Sequence, residues 1–304
     1  MTEFSNKTQV INDCSEELKT DHSNAKKEQL IENLKMGTKE WASRNVNCIK
    51  GCKVGCIYCY AKAIAKHYRG YTDDSWRILR INPKTVEKGY SKSRKKTSAP
   101  WDIMFPTTHN IFIEEPYFSA CIKVLKKCLK AQNTVLITIK PKLDVVKKLC
   151  KIFINYKDKI GFRFTIGSTD SKILELFEPY GSSFEERLES LKYATKMRFS
   201  TSVSAEPLLD KTPFDLVDKI IPHLSVLDRK KDIGTIWIGL LKKKYIPREL
   251  RRGEIKTYLE NLEKSFRFKH IFLYYKPLYS NKRIKWKESI LKLMISNNIK
   301  VKLE

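Results

Sequence analysis

No apolar run in the chain reaches the roughly 18 to 20 residues that crossing a bilayer takes. The opening stretch, MTEFSNKTQVINDCSEELKTDHSNAKKE, also lacks the apolar segment of a signal peptide. A soluble, cytoplasmic protein without membrane contact is therefore expected. Acidic residues are scarce: 34 Asp and Glu stand against 60 Lys and Arg, a net charge of +26. A disulfide framework is missing too. Eight cysteines in 304 residues, three of them inside one short loop, fit metal ligands plus scattered thiols better than paired cystines. Cys14, Cys121, Cys128 and Cys150 read as ordinary reduced thiols.

The basic balance suits phosphate binding, because Lys and Arg displace counterions from nucleic acid. The excess is nevertheless spread along the chain and dominated by Lys, which equally suits a solvated surface. Nucleic acid is thus a partner the composition permits. The local clusters are Lys92-Ser93-Arg94-Lys95-Lys96, Arg229-Lys230-Lys231, Lys242 to Lys244 with Arg248, Arg251 and Arg252, and Lys282-Arg283 with Lys285 and Lys287.

The stretch that organises the rest is Gly51-Cys52-Lys53-Val54-Gly55-Cys56-Ile57-Tyr58-Cys59-Tyr60-Ala61. Gly51 and Gly55 loosen the backbone between the cysteines, so one loop can turn three thiolates toward one inorganic centre. Structural zinc closes with four ligands and ferredoxin clusters use four cysteines, so three thiolates point to a cluster with one iron left open. Cys48 keeps two alternatives alive. Cys48, Cys52, Cys56 and Cys59 could instead form a zinc-stabilised nucleic-acid-binding module or a non-catalytic iron-sulfur electron carrier.

Around this loop, strand and helix patterns alternate. A polar tail, residues 1–37, holds at most one short helix, Ala25 to Leu34, and a short strand at Asn45 to Ile49 delivers the chain to the loop. Tyr60 to Tyr68 then reads as a helix. Expected strands are Asp102 to Phe105, Thr134 to Ile139, Phe162 to Ile166, Phe199 to Ser204, Thr235 to Gly239 and Ile271 to Tyr275. Helices are expected after each: Pro116 to Lys130, Leu143 to Ile154, Phe184 to Thr195, Phe214 to Leu227, Arg252 to Lys264, and Trp286 to Ile295. Such alternation gives parallel strands, in an α/β barrel or an open sheet, and six or seven units fit a partial TIM barrel of (β/α)6 type. In barrels the active site gathers at the carboxyl ends of the strands. The polar residues that fall there are Thr107, Thr108, His109, Asn110, Lys140, Thr165, Ser168, Thr169, Asp170 and Glu206, beside Gly239. Glu178 is expected either near this site or in an ion pair with Arg187, and His109 either as a loop hydrogen-bonder or as a proton carrier.

The cysteine spacing, with Tyr58 before the last cysteine, resembles the signature of the radical S-adenosylmethionine (radical SAM) superfamily. The resemblance runs from about Trp41 to Gly239 and is to the spore photoproduct lyase-like branch, also called DNA repair photolyase-like. It is carried by Gly51 to Ala61, by Ile137 to Pro141, by Phe162 to Ser168 continuing into Phe177-Glu178-Pro179 and Ser183 to Leu188, and by Ser204 to Pro207. It implies a cofactor pair, a 4Fe-4S cluster and S-adenosylmethionine (AdoMet), and an enzyme that cleaves AdoMet reductively and abstracts hydrogen from a substrate. By the same resemblance Cys52, Cys56 and Cys59 ligate the cluster, Tyr58 packs near the adenine, and Lys140 meets the AdoMet carboxylate. Thr165 or Ser168 bonds the ribose or methionine end, and Ile236, Ile238 and Gly239 floor the adenine. A flavodoxin- or ferredoxin-like reductant protein is implied as a partner.

Two departures stand out. Pro106-Thr107-Thr108 replaces the Gly-Gly-Glu that many of these enzymes use for the methionine amino group, so that contact has no assigned residue. The lyase also places a hydrogen-donating cysteine where this chain has Thr107, which removes the thiol that returns the hydrogen. The substrate is open, with nucleic acid or nucleotide favoured and no catalytic residue assigned. The expected division is a tail over 1–37, the radical SAM core over 38–280 and a C-terminal helix over 281–304.

Overall fold

Val135-Leu136-Ile137-Thr138-Ile139 is an almost unbroken apolar, β-branched run, the pattern of a parallel strand covered on both faces. It sits inside a sheet of seven parallel strands in the computed structural model, which describes residues 24–34, 37–93, 99–267, 271 and 275–298. The strands are β1 (Ala42–Asn45), β2 (Ile49–Lys50), β3 (Arg80–Ile81), β4 (Trp101–Phe105), β5 (Val135–Ile139), β6 (Ile160–Thr165), β7 (Ser200–Ala205), β8 (Ile236–Ile238) and β9 (Ile284–Trp286). The large sheet runs β1-β4-β5-β6-β7-β8-β9, while β2 and β3 form a separate antiparallel pair in which Ile49 faces Ile81. The helices are α1 (Asn24–Glu32), α2 (Tyr60–Arg69), α3 (Asp73–Arg77), α4 (Pro83–Glu87), α5 (Tyr117–Lys130), α6 (Leu143–Ile152), α7 (Ser171–Phe177), α8 (Phe184–Lys196), α9 (Phe214–Ile220), α10 (Gly253–Ser265) and α11 (Glu288–Ser296).

Strand alternation sorts the core into two layers. Ile137, Phe162, Phe164, Val203, Ile236 and Ile238 point outward and pack under the helices. The helices answer with matching stripes: α5 buries Phe118, Cys121, Ile122, Leu125, Cys128 and Leu129 at helical spacing. Each fully buried side chain of this kind contributes about 1.5 to 3 kcal/mol. The inner layer is smaller: Trp41, Ala42, Trp101, Met104, Leu136 and Ile233, with Trp237 against them. Gly161 is required there, since a Cβ on it would lie 2.5 Å from the Trp101 ring.

The sheet curls into a partial TIM barrel, and its two edges approach each other. Lys287, just after β9, puts its Nζ 3.1 Å from Glu40 and 3.1 Å from the Gly37 carbonyl, both just before β1. Within the curl, the Arg163 guanidinium lies 4.6 Å from the Trp41 ring and 5.6 Å from Trp237, and is fixed by Asp232 at 2.8 Å and Ser202 at 2.9 Å.

Most expected elements fall within a few residues of their observed bounds, and the last unit differs. Residues 272–274 of the expected strand Ile271 to Tyr275 lie outside the described residues, while Ile271 and Tyr275 are helical and buried. An apolar run of this length fits a buried helix as well as a strand. The last strand is Ile284–Trp286, so the segment beyond residue 280 supplies a strand of the sheet as well as helix α11. Of the expected tail, residues 1–23 and 35–36 lie outside the described residues, as do Arg94, Lys95 and Lys96 of the first basic cluster. Among the described residues no helix is long and apolar enough to cross a membrane.

Candidate functional site

The cysteine loop begins where β2 ends and finishes in helix α2. Gly51, at φ +94°, lets the chain pass so close to α3 that a Cβ would sit 2.5 Å from the Ile78 carbonyl oxygen and 2.7 Å from that of Trp76. The Cys52 N–H then donates to the Trp76 carbonyl at 2.9 Å. At the far end Cys59 caps α2, its sulfur accepting from the Lys62 N–H at 3.4 Å.

Cys52, Cys56 and Cys59 all line one cavity of about 550 Å³ at the carboxyl ends of the strands, well within the range of small-molecule and cofactor sites. Burial pushes the Cys52 thiol up to about 11, and pushes Cys56 further still, with the neighbouring Cys59 and Cys52 adding to the shift. Thiols placed this way want a cation, and metal coordination deprotonates them outright. Among the described residues no three His, Cys, Asp or Glu side chains close around a single ion-sized point. The donor set, three thiols around a shared space, fits a cluster whose thiolates bind separate irons. Cys48 is turned away. Its fully buried sulfur lies 3.7 Å from that of Cys121 in the outer core, so it does not complete a four-thiolate site.

Lys140, at the end of β5, reaches into the same cavity. Its backbone is held by Asn110, whose side-chain amide donates to the Lys140 carbonyl at 2.9 Å and accepts from the Lys140 N–H at 3.1 Å. Its Nζ stands 3.8 Å from Glu178 and 5.6 Å from the centre of the Tyr58 ring. Burial opposes the charge, but Cys56 and Glu178 outweigh it and lift the Lys140 pKa to about 12. Glu178 itself is enclosed: Arg187 pairs with it at 2.5 Å, and the Tyr58 hydroxyl donates to its other oxygen. Burial works against this carboxylate, and Arg187 and Lys140 overcome it, holding its pKa below the ordinary range. Glu178 thus joins the ion pair with Arg187 and the site near Tyr58 and Lys140.

The other expected residues divide. Thr165 lines the cavity and its carbonyl accepts from Arg187 at 3.2 Å. Ser168 does not: its hydroxyl donates to Asp210 and accepts from the Asp170 N–H at 2.9 Å, which ties down the loop leading into α7. Ile238 is likewise outside the cavity, because alternation along β8 turns it and Ile236 toward the helices. Leu240 and Leu241 line the cavity on that side instead. His109 is a loop hydrogen-bonder: Nε2 accepts from the Cys48 and Ile49 N–H groups at 3.3 Å each, and Nδ1 donates to the Asn110 carbonyl at 2.8 Å. Thr107 is clamped by Asn47, whose side-chain oxygen accepts from its N–H at 2.6 Å and whose amide donates to its hydroxyl at 2.8 Å.

Several contacts around the cavity carried no sequence signal. Tyr60 donates to the Thr107 carbonyl at 2.7 Å and lies 6.4 Å from Tyr245 across the mouth. Glu206, on the opposite wall, is held by Lys287 at 3.3 Å, and Lys287 is fully buried against Trp41 at 4.3 Å. Burial raises the Glu40 pKa to about 7, against the pull of Lys287. No motif links residues so distant in the chain.

No family model matches the chain. An uncharacterized protein of Acidianus two-tailed virus is 24% identical over 173 residues, which is 55% of this chain and 56% of that protein. An uncharacterized protein of Methanocaldococcus jannaschii is 24% identical over 174 residues, 57% of this chain and 61% of that protein. The match thus spans under two thirds of each relative. Among solved structures, spore photoproduct lyase complexed with dinucleoside spore photoproduct is similar at a TM-score of 0.45 and 14% identity, over 80% of this chain and 75% of that one. Streptococcus suis SuiB bound to S-adenosylmethionine is similar at 0.44 and 12% identity, over 94% of this chain and 61% of that one. The chain itself is a curled parallel α/β half-barrel.

Proposed function

We propose that the chain is a radical SAM enzyme, with a 4Fe-4S cluster on Cys52, Cys56 and Cys59 and AdoMet in the adjoining cavity. The observation that carries this reading is the orientation of the cysteines: the three of the loop line the cavity, while Cys48 faces Cys121. When bound, the cluster supplies the electron that splits AdoMet and yields the radical that takes hydrogen from the substrate.

The chain's own residues divide the remaining tasks. Lys140, kept protonated by Glu178 and the thiols, offers a cation to the AdoMet carboxylate. Tyr58 and Thr165 contribute a ring and a hydroxyl to the same wall. The apolar Leu240 and Leu241 help keep water from the reacting end. The substrate class favoured is nucleic acid or nucleotide, which the +26 charge supports. In the cluster after β8, Lys242 pairs with Glu288 and Lys243 with Glu263, while Lys244, Arg248 and Arg252 have no carboxylate partner among the described residues. Those three are the phosphate contacts of this reading. Thr107 in place of a thiol means that the substrate radical is quenched by some other donor, so the outcome differs from dimer repair.

Anaerobic reconstitution with iron and sulfide, reduction with dithionite and addition of AdoMet tests the reading. It expects 5′-deoxyadenosine, abolished in Cys56→Ala. A reduced cluster that leaves AdoMet intact would overturn it in favour of an electron carrier.

A further inference from the structure

Among the described residues that line the cavity, Glu206 is the single carboxylate, while Lys39, Lys140, Arg163 and Lys242 are cations. It is anchored from behind. The fully buried Lys287 puts its Nζ 3.3 Å from Glu206 Oε2, and is itself fixed by Glu40 and by the Gly37 carbonyl, each at 3.1 Å. Room for the pair comes from Gly239, where a Cβ would lie 2.9 Å from Lys287 Cγ and 3.1 Å from Glu206 Cγ. The second carboxylate oxygen, Oε1, has no hydrogen-bond or ion-pair partner among the described residues, and with the side chain 24% exposed it keeps access to solvent. One oxygen is held and the other is offered to the cavity.

This oxygen belongs to a different wall from the cysteines. Cys52, Cys56 and Cys59 sit on the loop between β2 and α2 and Lys140 follows β5, whereas Glu206 follows β7 and Lys242 and Tyr245 follow β8. What Glu206 can accept is limited by the charge around it. Lys287 already balances the carboxylate, and Lys39 and Lys242 line the same cavity, so a further cation is repelled there. A neutral N–H meets no such penalty, and a carboxylate oxygen only accepts.

We propose that Glu206 is a specificity-determining residue of the substrate end, its Oε1 accepting one neutral N–H of the substrate, of the kind that stands beside a carbonyl in an amide or an imide. The inference rests on the radical SAM reading, which puts AdoMet against the cysteine loop and Lys140 and leaves the β7–β8 wall to the substrate. An acceptor fixed by a buried lysine sets the rotation of the bound group, and so decides which C–H is turned toward AdoMet. The lysines of the same cavity suit the carbonyl beside that N–H. Pyrimidine bases and peptides both carry such a group.

The test pairs each probe with an analogue whose N–H is replaced by a methyl group: uridine with 3-methyluridine, and N-methylacetamide with N,N-dimethylacetamide. Binding to the as-purified full chain is read by tryptophan fluorescence, since Trp41 lines the cavity. At least one N–H probe should bind about tenfold or more tightly than its analogue. In Glu206→Gln, Lys287 holds the amide oxygen and turns the amide nitrogen to the cavity, so this preference should vanish while the methylated analogue binds as before. A preference within the uridine pair assigns the N–H to a base and one within the acetamide pair to a peptide, and either bears the proposal out. An unchanged preference in Glu206→Gln would overturn it, as would no preference in wild type. Equal loss of both members of a pair would make Glu206 a support of the wall, and tighter binding of methylammonium than of either probe would make it a cation site; both overturn the proposal. A fall in AdoMet binding by Glu206→Gln equal to the fall for the N–H probe would give the carboxylate to the cofactor and overturn it as well. The probes need no cluster, so absence of 5′-deoxyadenosine on reconstitution would count against the enzymatic reading alone.

Discussion

The Lys287 ammonium lies 3.1 Å from the Glu40 carboxylate, joining the residue after the last strand to one two places before the first. The same ammonium is 3.3 Å from Glu206, which lines the cavity. A fully buried lysine therefore both fastens the curled sheet and orients a group at the site.

Above pH 7, where Glu40 is ionised beside it, Lys287→Met should destabilise the fold by about 3 kcal/mol, because it leaves the buried Glu40 carboxylate without its cation. Urea unfolding measures this. Adding Glu40→Gln to Lys287→Met should recover a large part of the loss, since the stranded charge is then gone.

Glu40 also gives the fold a pH dependence. Its folded pKa of about 7 lies above the ordinary value of 4.5, so the folded state holds its proton where the unfolded chain releases it. The stabilisation is complete below pH 4.5 and is lost as pH rises through 7, up to about 3 kcal/mol. Unfolding free energies between pH 5 and pH 8, compared with Glu40→Gln, should show that this slope disappears in the variant.

Arg187→Met should cost about 3 to 5 kcal/mol, as it strips a buried carboxylate of its nearest cation. Glu178→Gln should cost less. It keeps the shape but frees Lys140 and Tyr58, so AdoMet affinity should drop several-fold more than stability predicts, as read by equilibrium binding on the folded variant.

Gly51→Ala places a Cβ against two carbonyl oxygens and adds roughly 1 to 2 kcal/mol of left-handed strain. Iron incorporation should fall sharply. Gly89→Ala, where nothing lies within 4 Å, should load iron as wild type does.

The local parts of this architecture were legible in the residues. The loop's glycines and cysteines and the apolar run of β5 each act over a few residues, which is the range that pattern and spacing report. Lys140 was legible because a cation at a strand end is a positional feature. What the sequence hid was set by packing between distant segments. Ser168 reads as a free hydroxyl until Asp210 arrives from another loop, and Ile238 reads as floor until strand alternation turns it outward. Lys287 reads as one more surface cation in a basic tail, and only barrel curvature brings Glu40 and Glu206 to it. The strand Ile284–Trp286 was masked for the same reason, being short and flanked by charge.

The most direct measurement is the iron and sulfide content of anaerobically reconstituted Cys48→Ala set beside Cys56→Ala. If three loop cysteines hold the cluster, Cys48→Ala keeps the full wild-type content and Cys56→Ala loses it. Equal loss in both variants, or zinc in place of iron in the wild-type chain, would contradict the three-thiolate centre on which the proposed chemistry depends.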